Sequence, residues 1–149
     1  MGAGRSDVPV RTASGMGEMM LIKLKFNPKM EKAVVAGQKT RTRRIVKPQP
    51  VGKMVSPCPY NPGDVFNVKS RQYVITKIRT GRLRDITDED AKDLEGCHNR
   101  LWFAEFWDWS CNYKWTDYEW QANPWVWVID FVMNQRSFFN GGNNGKIKD

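Results

Sequence analysis

The run Trp125-Val126-Trp127-Val128-Ile129-Asp130-Phe131-Val132 constrains the fold more than any other part of this chain. It is β-branched and aromatic, with apolar residues at both odd and even positions. Side chains alternate along a strand, so both faces of this one call for cover, as in a central strand flanked by neighbours. Asn123-Pro124 separates it from what precedes. Candidate partners lie upstream. Leu21 to Phe26 predicts a first strand, and Val65 to Val68, after the Pro62-Gly63-Asp64 turn, a short one. Arg71 to Arg84 predicts a longer strand rich in β-branched residues, in which Gly81 marks a bulge or bend. Pro48 to Pro62 holds five prolines and predicts an irregular connection.

Helical punctuation is equally local. Asn27-Pro28 supplies an N-cap and a proline at the first helical position, Met30, Ala33 and Val34 form the apolar stripe, and Gly37 ends the helix. Thr87-Asp88-Glu89-Asp90 has the form of a capping box opening a short helix to about Leu94. Leu101 to Cys111, apolar on most faces, predicts a helix buried against the sheet. Asn112 to Asn123 predicts a polar, aromatic-rich loop. Without βαβ alternation a doubly wound fold is not expected. The expected class is α+β: a small curved, barrel-like mixed sheet flanked by short helices. At 149 residues the chain has room for one domain, expected over 19–134, after a flexible leader (1–18) and before a disordered tail (135–149).

The net charge of +8 is unevenly spread. From Lys32 to Arg84 thirteen Lys or Arg stand against one acid, Asp64. Such concentration implies an anionic partner, nucleic acid being the commonest, or else a solvated basic face. Cys58, Cys97 and Cys111 are odd in number and lack zinc spacing, and His98 is the sole histidine; no metal or cofactor is expected. No apolar run approaches the roughly 20 residues of a spanning helix. Nor does Met1 to Gly17 have a signal-peptide core. The expectation is a cytoplasmic protein with no membrane partner.

Chemistry concentrates in Gly37-Gln38-Lys39-Thr40-Arg41-Thr42-Arg43-Arg44. In a regular strand Lys39, Arg41 and Arg43 face one way, and Thr40, Thr42 and Arg44 the other. Placing Lys39 and Thr42 in one cleft therefore demands a turn or bulge near Thr40-Arg41. Arg44 suits a phosphate or carboxylate through paired hydrogen bonds, and Lys39 offers a compact charge. Trp102, Phe106, Trp107 and Trp109 are expected in the core, with Trp109 or Trp115 as candidates to stack a base. Tyr113, Trp115, Tyr118 and Trp120 fall in a loop that either borders a nucleotide pocket or packs on the body of the domain.

The Gly37-x-Lys39-x-x-Thr42-x-Arg44 spacing resembles the signature of the ASCH family, within the PUA-like superfamily. Pro62-Gly63-Asp64-Val65, Leu83-Arg84-Asp85-Ile86-Thr87, Phe103-x-x-Phe106-Trp107-Asp108 and Asn123-Pro124-Trp125-Val126-Trp127-Val128 follow in the family's order, as in bacterial and phage-type members. The resemblance implies a PUA-like fold and a module that binds RNA or a modified nucleotide through Lys39, Arg41, Thr42, Arg43, Arg44 and Trp115. It also implies an alternative, since one branch consists of amidohydrolases acting on N4-acetylcytidine; there Lys39, Thr42 and Glu95 take the catalytic positions. A third expectation is a phage accessory factor with a protein partner, contacted through Glu105 to Trp120. Glu95 stands four residues after Ala91, where the small amidohydrolases place their acid three after the matching alanine. One residue is about 100° on a regular helix, so Glu95 meets the cleft only if that turn rearranges.

Overall fold

A computed structural model describes residues 19–52 and 56–134; the expected leader and tail lie outside them. Four strands, β1 (Arg41–Ile45), β2 (Val65–Val68), β3 (Arg71–Arg82) and β4 (Trp125–Met133), form one antiparallel sheet in the order β1-β4-β3-β2. The sheet curls into a half-barrel. It is antiparallel throughout rather than mixed, because each connection re-enters the sheet at the end where the preceding strand left it. β4 lies between β1 and β3 and, as its composition requires, buries both faces. Trp127, Ile129 and Phe131 pack with Phe66, Tyr73 and Ile75 inside the curl. Val126 and Val128 meet Leu83, Ile86, Phe103 and Trp107 on the other side. Large side chains of this kind each contribute about 1.5–3 kcal/mol when fully buried.

Helix α1 (Pro28–Val35) begins where the sequence predicts, with Asn27 Oδ1 accepting from Met30 N at 2.9 Å. Asp90 N likewise donates to Thr87 Oγ1 at 3.0 Å, opening the second helical turn. Three local expectations need correction. Leu21 to Phe26 is no strand: it touches β2 through one parallel bridge, Leu21 to Val65. It leaves that edge because Leu24 and Phe26 turn inward, the Phe26 ring lying 6.1 Å from Phe66 and from Phe131. The β3 bulge falls between Ile75 and Lys77, whereas Gly81 pairs regularly with Val126. Extra twist at that point lets a twelve-residue strand follow the curl. Finally, α2 (Arg100–Glu105) runs on into a wider turn at Phe106–Ser110 and is buried on one side only, leaving Leu101 and Trp109 exposed.

Among the described residues no helix is long and apolar enough to cross a membrane.

Candidate functional site

The motif segment is set by two constraints, one at each end. Gly37 closes α1 at φ +80°, a conformation glycine adopts freely. Gln38 N and Lys39 N then both donate to Ala33 O, at 2.9 and 3.1 Å. At the other end Arg41 to Ile45 pair in unbroken register with Asp130 to Val126. Between them, Thr40 N donates to Leu94 O (2.8 Å) while Thr40 O accepts from Phe131 N (3.0 Å). Both groups of one strand residue ordinarily serve the same neighbour. Thr40 thus joins β4 to the turn before Glu95, and the expected turn or bulge is absent. Lys39 keeps the side of Arg41 and Arg43, and it shares a cavity with Thr42 because that cavity takes residues from both sides of β1.

Glu95 is placed by a second local departure. Ala91 N donates to Thr87 O in the ordinary helical way, but Glu95 N reaches Asp90 O five residues back, at 2.9 Å. Such wide turns are rare and recur at functional sites. The wide turn takes in one more residue than a regular one, which answers the four-residue spacing from Ala91. Gly96 follows at φ +75°, and a Cβ there would stand 3.0 Å from Ala33 Cβ and 3.2 Å from Lys39 Cβ. With that positive φ, any larger residue is strained where these three segments approach.

On one side of β1 the charges are matched. Lys39 Nζ donates to Glu95 Oε1 at 2.8 Å and to Glu95 O at 3.2 Å. Arg43 Nη1 donates to Glu95 Oε2, and its Nη2 lies 3.6 Å from Asp90 Oδ2. Arg41 grips Asp130 through Nε (2.6 Å) and Nη2 (3.1 Å), with Asp90 3.7 Å away. The Asp130 hydrogen bond, opposed by partial burial, raises the Arg41 pKa. Three cations thus face three carboxylates. Glu95 is fully buried, and Lys39 and Arg43 nearly so.

On the other side Arg44 has no acid. Its Nε donates to Thr42 Oγ1 at 3.3 Å, and its Cζ sits 4.8 Å from the Phe26 ring centroid. Burial lowers its pKa, opposed at longer range by Tyr60, Cys111, Glu95 and Tyr113. Among the described residues it forms no ion pair, and neither Nη makes a hydrogen bond.

Both sides open on one cavity of about 360 Å³ at the free edge of β1. Lys39, Thr42, Arg44 and Glu95 supply its polar floor; Phe26, Met30, Phe103, Phe106, Trp107 and Tyr113 supply apolar and aromatic walls. The wide turn at Phe106–Ser110, closed by Cys111 N donating to Phe106 O at 3.0 Å, delivers Phe106, Trp107, Ser110 and Cys111 to it. Burial pushes the Cys111 thiol and Tyr113 phenol up. Cys97, behind Glu95, is pushed up to about 12. A second hollow between residues 21–26 and β2 is larger, about 570 Å³. Its polar groups, Lys23, Lys25, Glu31 and Asn67, are not buried, so it lacks a fixed polar centre. Among the described residues no cluster of His, Cys, Asp or Glu is arranged to hold a metal.

Of the residues singled out in the sequence, Lys39, Thr42, Arg43, Arg44 and Glu95 line this cavity. Arg41 is engaged by Asp130 and does not. Trp115 is 81% exposed and stands outside it, beneath Lys114. Trp107 serves as both core and wall, and Tyr113 is the loop aromatic that reaches the cavity. The sequence reading missed Asp90 and Asp130 as counter-ions, and Phe26, Met30 and Phe103 as walls. Asp130 carried a signal, being the one acid inside an otherwise apolar strand. No family model, curated protein or solved structure matches the chain. The functional reading rests on this geometry and on the motif.

Proposed function

We propose that this chain is an ASCH-type, PUA-like domain that binds a single RNA nucleotide, or a free modified nucleotide, in the cavity beside β1. One observation carries the reading: Lys39, Thr42, Arg44 and Glu95 converge on one cavity with aromatic walls. Its volume, about 360 Å³, lies in the roughly 300–1,000 Å³ range of small-ligand sites. Lys39 spends two donors on Glu95, and an ammonium has three, leaving one for a ligand carbonyl. Aromatic walls suit a base, for which stacking contributes about 1–3 kcal/mol. Arg41 and Arg43 hold the site together through their carboxylates, which narrows the binding group to Lys39, Thr42 and Arg44. The test is a titration with mononucleotides and short single-stranded RNA at several salt concentrations. Saturable binding, competed by mononucleotides, is expected; no binding at low salt contradicts the proposal.

A second reading, an amidohydrolase removing the acyl group of an N4-acetylcytidine-type nucleoside, draws on the 2.8 Å Lys39–Glu95 contact beside Thr42. In it Lys39 first passes a proton to Glu95, then takes the hydroxyl proton as Thr42 Oγ attacks the acyl carbon. Glu95 gives its proton to the departing cytosine amine, and water then cleaves the acyl-Thr42 ester. Thr42 Oγ1 already accepts from Arg44, which leaves its own proton to give. Turnover of acetylated cytidine that disappears in Thr42→Ala supports this reading. Equal turnover in both proteins excludes Thr42 as nucleophile.

A further inference from the structure

The two sides of β1 differ in a way that specifies the ligand. The cavity lining as a whole, with Lys25, Lys39, Arg43 and Arg44 against Glu95, is positive, whereas Lys39, Arg41 and Arg43 are each engaged by a carboxylate. Arg44 is the exception. Its guanidinium is held in place by Thr42 Oγ1 and the Phe26 ring, yet both Nη groups remain unspent among the described residues. Arg44 is partly buried, and its unspent donors are not sealed in protein but remain accessible beside the cavity it lines. A guanidinium fixed at one edge presents its other donors as a planar fork matched to two oxygens of one anion. Ser110 and Tyr113, on the same cavity, stand as further hydroxyl groups for it. Asn27 and Met30, from the first turn of α1, line the cavity too. The positive end of that helix dipole adds to the preference for negative charge.

We propose that the cavity selects an anionic ligand and that Arg44 receives its oxyanion, the phosphate of a nucleotide or a carboxylate borne on the base. This deepens the nucleotide reading and rests on it. The aromatic walls take the base, Lys39 a base carbonyl, and Arg44 the charge. A neutral nucleoside would fill the walls and leave Arg44 unpaired.

Calorimetric titration of the full chain with the four nucleosides, their 5′-monophosphates and 5-carboxycytidine tests the inference, in wild type, Arg44→Gln and Arg44→Lys. Charge-assisted hydrogen bonds contribute about 1.5–3 kcal/mol, so an anionic ligand is expected to bind about 10- to 100-fold more tightly than its neutral parent. That preference disappears in Arg44→Gln and is partly kept in Arg44→Lys, which retains the charge without the fork. Preference for the monophosphates places the charge on phosphate; preference for the carboxylated nucleoside alone places it on the base. Equal affinity for neutral and anionic forms, or a preference that survives Arg44→Gln, overturns the inference and leaves nucleotide binding standing. No binding by any member of the series overturns both. Denaturant unfolding separates a structural role: Arg44→Gln is expected to be at least as stable as wild type, and a large loss would make Arg44 a structural residue and overturn the assignment.

Discussion

Arg43 and Arg44 are neighbours in the chain and opposites in the fold. Arg43 points to the side of β1 where Lys39 and Arg41 lie, onto Glu95 and Asp90. Arg44 points to the other side, onto Thr42 and Phe26, and meets no acid. Strand alternation alone makes this division. Identical side chains therefore do different things: one closes a buried ionic lattice, the other keeps a charge available. A motif that reads as uniformly basic in sequence is half scaffold and half site.

Several substitutions can break or sharpen that contrast. The largest effect belongs to Glu95, which serves two buried cations. Glu95→Ala leaves Lys39 buried without a counter-ion and Arg43 with Asp90 alone, and a loss of about 3–5 kcal/mol is expected in denaturant unfolding. A loss under 1 kcal/mol would mean that water or another acid replaces it and that the lattice is not structural. Next is Gly96→Ala, which combines positive φ with contacts at 3.0 and 3.2 Å. The left-handed conformation alone costs a non-glycine residue about 1–2 kcal/mol. The strain falls on Ala33 and Lys39, so ligand affinity should drop together with stability.

An alkaline effect follows from the thiol behind Glu95. Cys97 is held protonated in the fold, its pKa pushed up to about 12, whereas an unfolded thiol titrates near about 8.5. Above that lower value the unfolded chain has lost a proton that the folded chain keeps, so stability falls as pH rises. The contribution is complete below about pH 8.5 and is lost progressively toward 12. Unfolding measured at rising pH should show this decline, and Cys97→Ala should flatten it. Smaller still is Arg41→Gln. The Arg41–Asp130 pair is partly exposed, and such pairs contribute about 0.2–1 kcal/mol. Trp115→Ala is expected to change neither stability nor affinity, within about 0.5 kcal/mol; a tenfold loss of affinity would move the binding surface out to the loop.

What could be read from sequence follows the range of the forces involved. The limits of α1 were legible because Asn27, Pro28 and Gly37 act on their own backbone. β4 was legible because a strand apolar at every position but Asp130 has few places to go. Lys39, Thr42 and Arg44 were recognisable from motif spacing, but which of the basic residues stays unpaired was not. That depends on cross-strand register, which sets Arg41 beside Asp130, and on a helical turn that brings Asp90 and Glu95 within reach. The wide turn at Asp90–Leu94 had no compositional signal, since it settles a one-residue choice by tertiary contacts at Lys39 and Ala33. Trp107 looked like core because it is core, and it also lines the cavity. Leu21 to Phe26 alternates as a strand does, yet its inward residues are drawn to the aromatic cluster and not to a ladder.

The division of labour across β1 is tested most directly by measuring stability and nucleotide affinity together in Arg43→Gln and Arg44→Gln. The expected result is a crossed pattern. Arg43→Gln loses about 3 kcal/mol of stability, as breaking a buried ion pair does; Arg44→Gln keeps its stability and loses about 10- to 100-fold in affinity for the anionic ligand. Equal losses of stability in the two variants, or undiminished affinity in Arg44→Gln, would contradict the account.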